Sequence, residues 1–174
     1  WVLREACLQA VELPVLSPRG PTIAVNVSPL QLAEPGFVDL VIAVLEAAGL
    51  PAHRLCLELT ETAAISDLAT TSTHLGRLRD LGVEIALDDF GTGYSSLTLL
   101  RSLPLTMAKI DRSFVANVAR STQDAVLVRM VIEAAHSFGL QVCAEGVEDA
   151  DQARQLVAMG CDTAQGWYFG RPVP

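Results

Sequence analysis

Two adjacent aspartates, Asp88 and Asp89, end the apolar run VEIALDD and lead into a glycine-rich turn, FGTGYSS. Other apolar runs end in the same way. Asn26 closes TIAVN, Glu58 and then Glu61 close LCLELTE, Lys109 and Asp111 close MAKID, Glu145 closes VCAE, and Gln165 closes DTAQ. A single carboxylate at a strand end reads as a helix cap or a solvated loop residue. Six successive strand ends that finish in oxygen donors, with one lysine among them, need another account. Like charges gathered on one rim raise one another's pKa unless cations neutralise them. Consecutive strand residues point to opposite faces, so Asp88 and Asp89 converge only where the chain turns at the strand end. There both carboxylates would reach one or two metal ions. Carboxylate and amide oxygens, with no His or Cys among them, select Mg²⁺ or Mn²⁺, with Ca²⁺ as a non-productive competitor. Two such ions about 3.5–4 Å apart activate a water and bind both non-bridging oxygens of a phosphodiester. A lysine in the ring positions that water or neutralises developing charge.

Positioning such a ring requires a particular scaffold. Helical patterns occur at WVLREACLQAVEL, PGFVDLVIAVLEAAGL, DLATTSTHLGRLRDLG, SSLTLLRSL, QDAVLVRMVIEAAHSFGL and DADQARQLVAMG, and they alternate with short β-rich runs. Most of those runs are continuously apolar, the mark of a parallel sheet covered by helices. The expected class is α/β, either doubly wound or a (β/α) barrel, and in a barrel all C-terminal strand ends meet on one face. No linker or low-complexity segment divides the chain. Its first helix has no capping residue ahead of Trp1 and no initiator Met, so a fragment of a longer domain is expected.

The composition narrows the partners. The 174 residues are 51% hydrophobic and 18% charged, with a formal net charge of −8 and no Lys/Arg cluster. That balance argues against duplex nucleic acid and against a polybasic membrane surface; a phosphorylated ligand would need divalent cations between the two sets of negative charge. Cys7, Cys56, Cys143 and Cys161 lack zinc-like spacing and read as reduced, mostly buried thiols. With no apolar run near the roughly 18 residues of a membrane span, a cytoplasmic domain is expected, whether alone or within a larger membrane-anchored protein. The turn FGTGYSS lacks the phosphate-loop and dinucleotide fingerprints, so Gly91 and Gly93 serve the backbone turn. His53, His74 and His136 read as surface or structural residues. Trp167, Tyr168 and Phe169 read as core packing by default, with stacking on a base as the alternative.

Taken together, NVS at 26–28, ELTE at 58–61, DDFGTGYSS at 88–96, KID at 109–111, AEGVE at 144–148 and QGWYFGRPVP at 165–174 resemble the EAL-domain family of bacterial cyclic di-GMP phosphodiesterases. The resemblance runs the length of the chain. It implies a modified TIM (β/α)₈ barrel that hydrolyses cyclic di-GMP to linear pGpG with two Mg²⁺ or Mn²⁺ ions. It implies that Asn26, Glu58 and Asp88 bind the first ion, and that Asp88 bridges to a second ion held also by Asp89 and Glu145. Lys109 would contact the nucleophilic water and, with Glu145, carry the catalytic role. Gln165, Asp111 and Glu148 would support the site or the substrate. Glu61 would tether the loop 90–96, whose Phe90, Gly91, Thr92 and Gly93 would couple the site to a homodimer interface. A sensory or diguanylate cyclase domain upstream is a further implication. The departure is at the front, where the glutamate of the Glu-Ala-Leu signature has no counterpart. Residues 1–174 would then hold about six of eight strands, lacking the first two strands and the first helix, and would be weakly active or inactive. The alternative is a catalytically inactive cyclic di-GMP receptor, although every metal ligand from Asn26 onward is in place.

Overall fold

A computed structural model describes residues 1–14, 20–65, 67–91 and 96–171, the side chains of residues 96 and 97 excepted. Its elements run in the order α1 (Val2–Glu12), β1 (Ile23–Asn26), α2 (Pro29–Ala33), α3 (Phe37–Ala48), β2 (Leu55–Thr60), α4 (Glu61–Ile65), α5 (Leu68–Asp80), β3 (Glu84–Phe90), α6 (Ser96–Ser102), β4 (Met107–Ile110), α7 (Arg112–Val115), α8 (Thr122–Ser137), β5 (Gln141–Ala144), α9 (Ala150–Ala158) and β6 (Thr163–Ala164). The strands form one six-stranded sheet in chain order, β1-β2-β3-β4-β5-β6. Pairing is parallel between β1 and β2, β4 and β5, and β5 and β6. A doubly wound sheet reverses its strand order at a switch point. A sequential parallel order does not, so the winding is that of a (β/α) barrel. Among the described residues no helix is long and apolar enough to cross a membrane.

The sequence expectation errs at short elements and at one strand end. Helices α2, α4 and α7, of four or five residues each, are too brief to show a helical period. Glu61, expected at the end of a strand, is instead the first residue of α4 and is buried.

The chain divides into two compact units, Trp1–Ala86 with Ser102–Leu105 and Leu87–Arg101 with Thr106–Pro174. In the first, β2 is buried from Leu55 to Leu59, and Leu75, Leu78, Val38 and Val41 pack a core with Cys7 and Ala10 of α1. α2 begins in a capping box, Ser28 accepting from the Gln31 amide and Gln31 accepting from the Ser28 amide, which satisfies two otherwise orphaned donors. His74 is a structural residue, its Nδ1 2.8 Å from the Leu32 carbonyl oxygen.

Arg54 is buried and makes two side-chain hydrogen bonds in this unit. Its Nη2 donates to the carbonyl oxygen of Ala10, near the end of α1, at 2.6 Å, and its Nε to Pro21 O at 2.9 Å. A cation at a helix C-terminus also meets the negative end of the dipole. Arg54→Met should therefore leave two carbonyls with poorer partners and cost roughly 3 kcal/mol, read as a lower urea midpoint. An unchanged midpoint would mean that those carbonyls are satisfied without the guanidinium.

In the second unit Leu87, Ala108, Ile110, Val142, Ala144 and Leu156 form the core with Val128, Ile132 and Ala135 of α8. Each longer helix starts on a side-chain cap, Ser121 for α8 and Asp149 for α9. His136 and Asp162 pair at 2.8 Å, and the same Asp162 oxygen accepts from the Val142 amide. Cys7, Cys56 and Cys143 are buried thiols and Cys161 is half-buried; burial pushes the Cys161 thiol up to about 11.

Candidate active site

In β3 the residues Ile85, Ala86 and Leu87 are fully buried, and the half-buried Asp88 comes next. Alternation would send the Asp89 side chain to the opposite face. It does not, because Asp89 adopts φ +56°, the left-handed region, as a non-glycine residue. Aspartate tolerates that region better than most residues, at a cost of order 1–3 kcal/mol. The Asp89 amide donates to its neighbour's Oδ1 at 3.1 Å. With the backbone bent there, Asp88, Asp89 and Glu145 bring carboxylate oxygens within 4.8 Å of one another.

Lys109 on β4 is 4% exposed. Its Nζ lies 2.5 Å from Glu145 Oε1 and 3.3 Å from Asp88 Oδ1. A buried ammonium is tolerated only when paired. The four groups carry three negative charges and one positive, a net of −2, so the centre still attracts a cation. Gln165 donates from Nε2 to Glu145 Oε1 at 2.6 Å, fixing that carboxylate. Backbone bonds set the strand ends in step: Glu145 N to Ile110 O at 3.1 Å, Gln165 N to Ala144 O at 2.8 Å, and Val147 N to Gln165 O at 3.0 Å. The donor set consists of hard oxygens and fits Mg²⁺ or Mn²⁺ in the way a Cys/His set would not.

The first unit presents its own oxygen pair. Asn26, the last residue of β1, and Glu58, two residues before the end of β2, are register partners and therefore share one face of the sheet. The Val27 amide donates to Glu58 O at 2.8 Å. Asn26 is exposed and Glu58 buried.

The remaining expected residues fall in different places. Asp111 caps α7, accepting from the amide and hydroxyl of Ser113; the Ser113 hydroxyl is the main reason its carboxyl sits below the usual range. Glu148 is exposed and lines a cavity of about 370 Å³ with Arg112, Glu145, Gln165 and Trp167. Arg112 carries no such sequence signal, since it follows the strand end instead of closing it. Phe90 is buried and Gly91 exposed, while Thr92 and Gly93 lie outside the described residues. Trp167, Tyr168 and Phe169 correct the expectation of core packing: they are 60%, 48% and 58% exposed. The segment is anchored through its backbone, with Tyr168 N bonded to Val147 O, which leaves the rings outward; the Arg171 guanidinium lies 4.9 Å from the Trp167 ring centre.

Comparison with known proteins places this arrangement. A family model described as EAL domain matches residues 1–172. An uncharacterized protein of Mycobacterium tuberculosis is 45% identical over 175 residues, covering 100% of this chain and 28% of that protein. The cyclic di-GMP phosphodiesterase NbdA of Pseudomonas aeruginosa is 42% identical over 174 residues, covering 100% of this chain and 22% of NbdA. The chain thus spans about a quarter of the length of these curated relatives. Among solved structures, the EAL domain of Mycobacterium smegmatis DcpA superposes with TM-score 0.90 at 45% identity, over 99% of this chain and 78% of that one. A manganese and cyclic di-GMP complex of Klebsiella pneumoniae BlrP1 superposes with TM-score 0.87 at 32% identity, over 97% and 43%.

Proposed function

The chain belongs to the EAL domain family, and from that membership we propose that it is a cyclic di-GMP phosphodiesterase domain yielding linear pGpG with two divalent cations. The observation that carries this reading is the cluster of Asp88, Asp89 and Glu145 oxygens within 4.8 Å, with the Lys109 ammonium on two of the three. Bound Mg²⁺ or Mn²⁺ would polarise the phosphodiester and acidify a water. Asp88, Asp89 and Glu145 are the carboxylates that would hold it, and the family resemblance adds Asn26 and Glu58. Lys109, fixed by two carboxylates, donates toward the attacking water or a phosphoryl oxygen. Gln165 keeps Glu145 from rotating away. The water oxygen forms the new bond to phosphorus, the bond to the 3′ oxygen breaks, and that oxygen leaves with a proton. Association of two copies through the loop 90–96 belongs to the same reading.

The test is chromatographic detection of pGpG from cyclic di-GMP with Mn²⁺. The 174-residue chain would be assayed alone and also with a strand bearing the signature glutamate supplied upstream. Formation of pGpG by the extended form is the expected result. Tight ligand binding without product from either form would instead make the domain a cyclic di-GMP receptor.

A further inference from the structure

Gln152 is a buried amide, 5% exposed, in the first turn of α9. Its Oε1 accepts from two backbone amides, Glu148 N at 2.7 Å and Asp149 N at 3.2 Å, and its Nε2 donates to Ala116 O at 3.0 Å. The bond to the Asp149 amide completes a capping box with the Asp149 side chain, and a capping box alone explains that bond. It does not explain the other two. Glu148 lies outside the box, three residues after Glu145 along the strand-end segment. Ala116 ends α7, which begins three residues after Lys109. One buried side chain thus ties the segment carrying Glu145 to the segment that follows Lys109, whose ammonium reaches Glu145 at 2.5 Å.

We propose that Gln152 is a positioning residue for the metal centre: its amide fixes the Glu145–Glu148 segment against α7 and so holds the Glu145 carboxylate where a cation needs it. This rests on the reading of Glu145 as a metal ligand. Residues that orient ligands from behind are worth about 10–100-fold in metal affinity. A purely helix-capping Gln would influence folding stability and leave metal binding unchanged.

The substitution Gln152→Glu separates the two roles, because glutamate is itself a usual capping-box residue. It keeps both acceptor bonds, loses the donor to Ala116 O and sets a carboxylate oxygen against that carbonyl. The control is Asp149→Ala, which strips the side-chain cap from the same helix without touching the Ala116 bond. Mn²⁺ affinity of the full chain is measured by electron paramagnetic resonance of free Mn²⁺, well below the melting temperature. Gln152→Glu should weaken Mn²⁺ binding on the order of tenfold. Asp149→Ala should lower the melting temperature while keeping Mn²⁺ affinity within about twofold of the parent, since its effect lies in the cap. The proposal is overturned if Gln152→Glu binds Mn²⁺ as the parent does, or if both variants weaken it alike. A parent chain that binds no Mn²⁺ overturns the metal reading of the site itself, and this role of Gln152 with it.

Discussion

Asp88→Asn should cut pGpG formation by at least about a hundredfold, since bound cations contribute several kcal/mol to such a transition state and each 1.36 kcal/mol is tenfold in rate. Asp88 is singled out because two partners meet on it. The Lys109 ammonium lies 3.3 Å from its Oδ1, and the Asp89 amide donates to the same oxygen. The amide isostere keeps the shape and an acceptor but removes one of three negative charges. Lys109 keeps its closer partner, Glu145 at 2.5 Å, so the buried ammonium is not stranded and the fold should survive. The measurement pairs turnover of the extended form with Mn²⁺ binding and a thermal melt. Lost turnover and weakened Mn²⁺ binding with a melt close to the parent's is the expected combination. Turnover within a few-fold of the parent's would remove Asp88 from the metal centre.

Gly166→Ala should have the largest effect on stability. A Cβ at that position would fall on the Val147 backbone, its O and N both far inside van der Waals contact, with φ at +154°. Backbone atoms cannot swing aside as a side chain would. Val147 is itself pinned by its amide to Gln165 O and by its carbonyl to the Tyr168 amide. Relief would therefore require separating the two strand-end segments that bear Glu145 and Gln165. The cost should be roughly 4 kcal/mol, at the high end for single substitutions, and the melting temperature should fall by about 10 °C for a chain of this size. The Gln165 to Glu145 bond should weaken in parallel. Gly76, inside α5 with open space where a Cβ would stand and an ordinary φ, makes the contrast. There Ala should stabilise by about 0.5–1 kcal/mol through helix propensity. A Gly166→Ala melt matching the parent's would show that the two segments shift apart without penalty.

The class of the fold and the residue types that gather at the candidate site were legible along the chain, because each is a local property. Largely apolar runs such as LCLEL, broken only by Glu58, mark strands buried on both faces, and β2 is buried from Leu55 to Leu59. A polar residue ending such a run stands out against it, so Asp88, Asp89, Lys109, Glu145 and Gln165 could be named from type and position, and these five are brought together. Local pattern did not choose between doubly wound and barrel winding; the pairing of each strand with its sequence neighbour did. Nor did pattern bring Asp89 beside Asp88. Strand period sends neighbouring side chains apart, and one left-handed dihedral at Asp89 reverses that, a conformation that the strand pattern itself does not specify. The outward rings of Trp167, Tyr168 and Phe169 have the same origin, since hydrophobicity favoured burial while backbone bonds to Val147 held the segment at the surface. Gln152 reads as one more polar residue of an amphipathic helix, and its reach to Ala116, 36 residues away, exists only once the chain is folded. Sequence determined which groups could do the chemistry; the distances between them depend on contacts remote along the chain, and those only the tertiary structure decided.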